Sequence, residues 1–223
     1  MVGAIARLMM MALFIGGIFF ILYQMFAFFM GIQPGRSALK RDLKTLRKMI
    51  DVWTDQLIPW EGEELELISM EKTQKTSRSG LNKIVTGVIQ SIYYEPMLAY
   101  AYKTYSRSKT FGLMLVKSLE HEIIYQNSSK GVQVFIDSKH IGTMNEYGQL
   151  FGVQSNQLLA SIEDGLELKP IRVNNREVAV LKKGAFSQKH AGRLFEYVDN
   201  MSDVESQLML SLSLYELLTS EGK

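Results

Sequence analysis

The sequence predicts a mainly β protein: an antiparallel barrel or sandwich of about 11–12 short strands with a buried hydrophobic C-terminal helix, preceded by one N-terminal transmembrane helix and an amphipathic connector helix. Three observations predict it. Residues 8–30 carry no charge. Between Leu65 and Val198, short apolar segments follow one another with brief turn-forming connections. After Ser202, apolar side chains spread around a whole helix.

Only Tyr23 and Gln24 interrupt the run from Leu8 to Met30. As a helix it measures about 34 Å, enough to cross a bilayer core with some tilt. A cleavable signal peptide has a shorter apolar stretch and a small-x-small cleavage site; Gly31-Ile32-Gln33-Pro34-Gly35-Arg36 is a poor one. Arg7 alone precedes the run, whereas Arg36, Lys40, Arg41, Lys44, Arg47 and Lys48 follow it, opposed only by Asp42. The positive-inside rule then puts the N-terminus outside and the C-terminal body in the cytoplasm. The absence of cysteine is consistent with that compartment. Ala12 with Gly16, and Ala27 with Gly31, have the small-residue spacing of membrane helix pairs.

Pro34-Gly35 ends the anchor, and Ser37 is placed to cap the next helix. Leu39, Leu43, Leu46, Ile50, Trp53 and Leu57 then recur at helical spacing, and Pro59 closes the segment. Basic residues fill much of the other face of its first half. Two placements stay open: on the bilayer surface with lysines toward headgroups, or packed against a partner or the chain's own body. The expected division is an anchor over 1–35, a basic juxtamembrane helix over 36–60 and a cytoplasmic β-rich domain over 61–223.

Within that domain Leu65–Met70 reads as a strand and Thr73–Gly80 as a polar loop. Ile84–Tyr94 is rich in β-branched residues, with a helix as the alternative. Leu98–Tyr105 places Tyr100 and Tyr102 on the face opposite Ala99 and Ala101, and Tyr105 is expected beside them. Phe111–Lys117 and Glu122–Tyr125 follow, then a turn at Asn127–Gly131 and a hairpin of Val132–Ile136 with His140–Met144. Leu150–Val153, Leu158–Ile162, Leu168–Val173 and Val178–Leu181 complete the run. Asn174-Asn175 tolerates the positive φ of a tight hairpin. Arg193–Val198 is a further strand or a short helix. Ser202 and Glu205 form a capping box for a helix over 203–218, with a second membrane span as the rival reading of that helix.

The 223 residues carry a net charge of +2, but residues 36–48 carry +5 and residues 49–223 carry −4. A mildly acidic body argues against nucleic acid as its partner. The positive charge lies beside the anchor, where a lipid bilayer with anionic headgroups would attract it.

The strand pairs Gly131–Gly142 and Ile171–Ala179, together with the apolar helix Asp203–Leu218, resemble the tubby-like fold shared by the phospholipid scramblases and the LURP-one-related proteins. The resemblance covers about residues 61–220. It implies a twelve-stranded barrel threaded by a hydrophobic helix near the C-terminus. The chain departs from the scramblases in having an N-terminal anchor and no cysteine, where they have a C-terminal anchor and palmitoylated cysteines. No scramblase calcium site or tubby phosphoinositide pocket transfers residue by residue.

No catalytic, metal or cofactor-binding residue is singled out. His121, His140 and His190 have no metal-ligand spacing, and there is no G-x-S-x-G, P-loop or G-x-G-x-x-G. Glu61, Glu63, Glu64 and Glu66 read as a solvated cluster. Trp53 and Trp60 flank Pro59 as interfacial aromatics or as core residues. The sequence therefore points to a membrane-anchored binding or assembly module, in a membrane-protein complex or a homo-oligomer. A lipid-handling protein, or an enzyme whose site the sequence does not reveal, is the other class.

Overall fold

The computed structural model describes residues 10, 14–25, 35–59, 62–79, 82–105, 112–128, 130–182 and 192–219. They fall into two compact units, Met1–Pro34 and Gly35–Lys223. In the first, residues 14–25 are helical. Among the described residues no helix is long and apolar enough to cross a membrane; apart from residue 10, the rest of the expected 8–30 span lies outside them, as do Ala12, Ala27 and Gly31.

The second unit is a twelve-stranded antiparallel sheet among the described residues: β1 Ile68–Ser79, β2 Asn82–Ser91, β3 Pro96–Thr104, β4 Leu113–Lys117, β5 Glu122–Ser128, β6 Gly131–Ile136, β7 Lys139–Met144, β8 Gln149–Gly152, β9 Leu158–Ile162, β10 Leu168–Val173, β11 Arg176–Lys182 and β12 Phe195–Val198. Strand order follows sequence order. The residues just before β12 return to β1: Leu194 N donates to Ile68 O at 2.8 Å and Met70 N to Gly192 O at 2.9 Å, around a Ser69–Arg193 bridge. The sheet is thus a nearly closed barrel, which hides its edges.

Several boundaries differ from the sequence expectation. Gly62–Leu67 is a 3-10 helix, so the strand expected from Leu65 begins at Ile68. The expected loop from Thr73 is strand as far as Ser79, paired in register from Thr73↔Val88 to Ser79↔Asn82. Its side chains are polar because residues 73–78 face water, while β2 satisfies the backbone. β5 likewise runs into the expected turn, to Ser128↔Gly131. Residues 82–91 are strand, not helix, and β12 resolves the Arg193–Val198 alternative as strand. The hairpin at Asn174-Asn175 has φ of 50° and 68°, and Asp137-Ser138 has 49° and 67°, both the left-handed pair that matches strand twist.

Helix α1, Arg36–Thr54, packs outside the barrel; helix α2, Asp203–Thr219, fills it. Two hydrophobic cores result. Leu208, Met209, Leu210, Leu212, Leu214 and Leu217 join the inner faces of the strands. Leu46, Ile50 and Leu57 close over Ile84, Ala99, Ala101, Leu113, Leu115 and Ile124 on the outer wall. Strands β2 to β4 are buried on both faces and read as apolar runs, whereas β6 alternates.

Among the described residues no buried side-chain polar atom lacks a hydrogen bond, those of α2 included. Ser206, Ser211 and Ser213 donate to carbonyls three or four residues back, at 2.7–2.8 Å. Tyr125 donates its hydroxyl to Ser211 O at 2.7 Å from the wall, and burial pushes its pKa up. Tyr100 points inward and donates to Thr73 O at 3.0 Å. Gly87 makes room for it: a Cβ there would lie 2.7 Å from the ring and 1.9 Å from Thr73 O. Ser202 and Glu205 form the expected box, Ser202 N donating to Glu205 Oε2 at 2.9 Å and Glu205 N to Ser202 Oγ at 3.4 Å. At the far end Lys72 Nζ donates to Leu217 O at 3.0 Å and Lys169 pairs with Glu216 at 2.7 Å.

Antiparallel order fixes two rims. The basal rim holds the β1–β2, β3–β4, β5–β6, β7–β8 and β9–β10 connections. The apical rim holds the start of β1, the β2–β3, β4–β5, β6–β7, β8–β9 and β10–β11 connections, and the entry of α2.

Candidate functional site

The residues that the sequence singles out converge on α1. Leu43, Leu46, Ile50 and Trp53 of its stripe face the barrel, with Leu46 and Ile50 fully covered, and Leu39 is half-buried. This decides between the two placements of the connector: the apolar face is spent on the chain's own wall. Trp53 is half-buried there, and Trp60 lies outside the described residues. The helix begins two residues earlier than a Ser37 cap would start it: Leu39 N donates to Gly35 O at 3.1 Å, and no side chain caps the helix. It stops at Thr54, short of the expected 57, where Gln56 N and Leu57 N bond back to Trp53 O and Thr54 O. That tight exit buries Leu57 and lets Ile58 N reach Pro96 O at 2.9 Å.

Polar contacts fix the direction of α1. Asp42, 8% exposed, binds Lys103 Nζ at 2.8 Å and accepts from the Tyr105 hydroxyl at 2.8 Å. Lys103 also sits 5.3 Å from the Tyr105 ring centre. Burial, then the bond to Asp42, pushes the Tyr105 hydroxyl pKa up. Tyr105, expected beside Tyr100 and Tyr102, instead joins the outer cluster with Ala99 and Ala101, the face that a period of two gives an odd position here. Further along, Arg47 forks onto Glu122, its Nε at 2.8 Å from Oε2. The bond to Glu122 holds the guanidinium above its ordinary pKa. Lys117 reaches Asp51 at 3.7 Å and Thr54 at 3.4 Å. Lys103 lies at the basal end of β3, whereas Lys117 and Glu122 flank the apical β4–β5 turn. α1 therefore starts at the basal rim and runs to the apical one.

Of the six cations singled out, Arg47 is tied to the barrel. Arg36, Lys40, Arg41, Lys44 and Lys48 are exposed, and none forms an ion pair among the described residues. The sequence marks this row but misses Asp42, Lys103, Tyr105 and Glu122, which orient it. Its one signal for them is a single acid on the flank of an apolar stripe.

The other candidates stay apart. Glu64 is exposed and Glu66 pairs with Arg193 at 3.6 Å, while Glu61 and the Glu63 side chain lie outside the described residues. His140 stacks on Phe135, and His190 is outside the described residues. His121 borders a small apical cleft with Leu98, Val116, Ser118, Gln207 and Leu210. Its Nδ1 lies 2.8 Å from Asp137 Oδ2 and its Nε2 3.1 Å from Gln207 Nε2, which pins α2 to the wall. Ser118 Oγ is engaged by the backbone of Glu120 and His121, so it does not form a nucleophile–base pair with the His121 ring. Among the described residues no three acidic or histidine side chains form a metal cluster.

The chain matches no protein-family model, no curated protein and no solved structure.

Proposed function

We propose that the chain is a single-pass, membrane-tethered binding or assembly module, an accessory subunit or adaptor with its barrel at the cytoplasmic membrane surface. The observation that carries the reading is the outward row of α1. Docking on the barrel leaves the helix no apolar stripe for lipid, yet five cations stay exposed and unpaired among the described residues. They follow directly on an uncharged run of residues 8–30. Neighbouring like charges on one helix repel by about 0.2–0.5 kcal/mol per pair, and an anionic headgroup surface offsets that cost. Phe14, Phe19 and Phe20, 63–71% exposed, call for an apolar cover, which a bilayer core provides. A barrel filled by its own helix meets partners on its outer surface.

External protease on sealed, right-side-out cells is expected to leave residues 36–223 intact; digestion of the body reverses the orientation. Purification in mild detergent is expected to retain a stoichiometric membrane partner or a homo-oligomer. One feature favours a second reading, a lipid-handling protein of tubby-like or scramblase type: a twelve-stranded barrel around a C-terminal helix is the architecture that the resemblance implies. Lipid movement by the isolated protein in vesicles would replace the first reading with the second.

A further inference from the structure

The basal rim is divided by charge. On the side covered by α1, Arg78 and Lys83 face each other across the tip of the β1–β2 hairpin, and Lys130 occupies the β5–β6 turn. All three are exposed and without an ion pair among the described residues. The first half of α1 brings Arg36, Lys40, Arg41 and Lys44 to the same sector, because Asp42 is anchored at the basal end of β3. The opposite sector of this rim is acidic: Glu146 lies in the β7–β8 connection, and Glu163, Asp164 and Glu167 in the β9–β10 connection. The apical rim presents Glu64, Glu95, Glu120, Asp199 and Asp203, against Lys139 and against Arg176, which pairs with Asp199. Charge is thus sorted along the barrel axis and across the basal rim.

The chain also enters the barrel unit at this place. Gly35 and Arg36 start α1 at the basal rim, and only residues 31–35 separate it from the uncharged run. Five extended residues reach about 17 Å. A tether that short holds the basic sector within a few screening lengths of whatever surface the run enters; the Debye length is about 8 Å at physiological salt.

We infer that the basic sector of the basal rim is a docking surface for an anionic lipid bilayer. Arg36, Lys40, Arg41 and Lys44 of the first half of α1, together with Arg78, Lys83 and Lys130, lie on the headgroups, and the acidic apical rim points away. The inference rests on the tethered reading above. It adds a fixed orientation: tethering alone leaves the barrel free to tumble, whereas docking presents the apical rim, with the entry of α2, to the cell interior.

The chain has no cysteine, so one introduced thiol labels a single place. The full-length variants Ser77→Cys, near the basal hairpin tip, and Ser155→Cys, in the apical β8–β9 connection, are labelled with a fluorophore. Each is reconstituted into phosphatidylcholine vesicles, with and without phosphatidylserine, that carry a headgroup quencher. The expected result is flotation with both vesicles, and quenching confined to Ser77→Cys when phosphatidylserine is present. The quenching is lost at high salt. Replacing Arg78, Lys83 and Lys130 with Gln lowers the docked-to-free ratio by about a hundredfold, at about fivefold per cation. Salt and lipid composition test the same point without altering the fold. Equal quenching at both labels, or quenching indifferent to phosphatidylserine and salt, overturns docking while the tether stands. Failure to float overturns both.

Discussion

The two helices of the barrel unit solve opposite problems. α1 is apolar on one stripe and lies against the outside of the wall; α2 is apolar around its circumference and is enclosed by the wall. Their ends differ as well. α2 has a capping box at its start and Lys72 and Lys169 at its finish, while α1 has no side-chain cap and is held from the side by Asp42 and Arg47. A helix that forms the core must be complete in itself, because the strands offer it few polar partners. A helix that covers a wall can borrow its polar contacts from that wall and leave one face free for another surface.

The largest way to break this contrast is a charge in each core. Leu212→Asp places an unpaired carboxylate among the inner strands and is expected to unfold the barrel, since such burial costs several kcal/mol or more. Leu46→Asp is expected to detach α1 and spare the barrel, whose inner core is a separate cluster. Denaturant unfolding of both full-length variants, followed by tyrosine environment and far-ultraviolet dichroism, separates the outcomes; equal loss of strand signal would merge the two cores into one. Truncation before Ser202 goes further and is expected to give aggregates. A soluble, cooperative product would make α2 peripheral.

Next in size is the lateral anchor of α1. Asp42→Ala leaves Lys103, 14% exposed at its side chain, without its buried partner, a loss of about 3 kcal/mol. Tyr105→Phe removes one hydrogen bond and is expected to cost about 1 kcal/mol. Both are read from denaturation midpoints, and an Asp42→Ala cost no larger than that of Tyr105→Phe would deny the ion pair its role.

The capping box comes third. Ser202→Ala is expected to cost about 1 kcal/mol. Glu205 is held below its ordinary value of 4.5, first by the Ser202 N–H and then by the Ser202 hydroxyl. Its stabilisation is therefore complete above that value and lost as pH falls through the lowered one. Glu205→Gln should destabilise at neutral pH and converge with the parent in acid; a constant gap would assign the effect to something other than ionisation.

The smallest effect is expected at the free row. Lys40→Ala and Lys44→Ala should change stability by less than about 0.5 kcal/mol. A larger loss would mean that the row holds α1 in place.

What could be read in the sequence was local. The stripe from Leu39 to Leu57, the box of Ser202 and Glu205, the hairpin pair Asn174-Asn175 and the all-round apolar helix are each set by neighbours within a few residues. Helical period, capping and positive φ act at that range. The β3 and β4 runs were legible as strands and β2 as strand or helix, but none as a wall buried on both faces, because an apolar run does not say what covers its second side.

Four things were settled only by long-range contact. Residues 73–79 are strand because β2 supplies hydrogen bonds that their polar side chains do not announce. Closure of the barrel depends on Leu194 meeting Ile68, far apart in the chain. The Tyr105 hydroxyl is satisfied because Asp42, 63 residues earlier in the chain, lies there to accept it. The amphipathic connector settles on protein because the outer faces of β2 to β5 offer it a complementary apolar surface, and an amphipathic stripe specifies only that it must be covered, not by what.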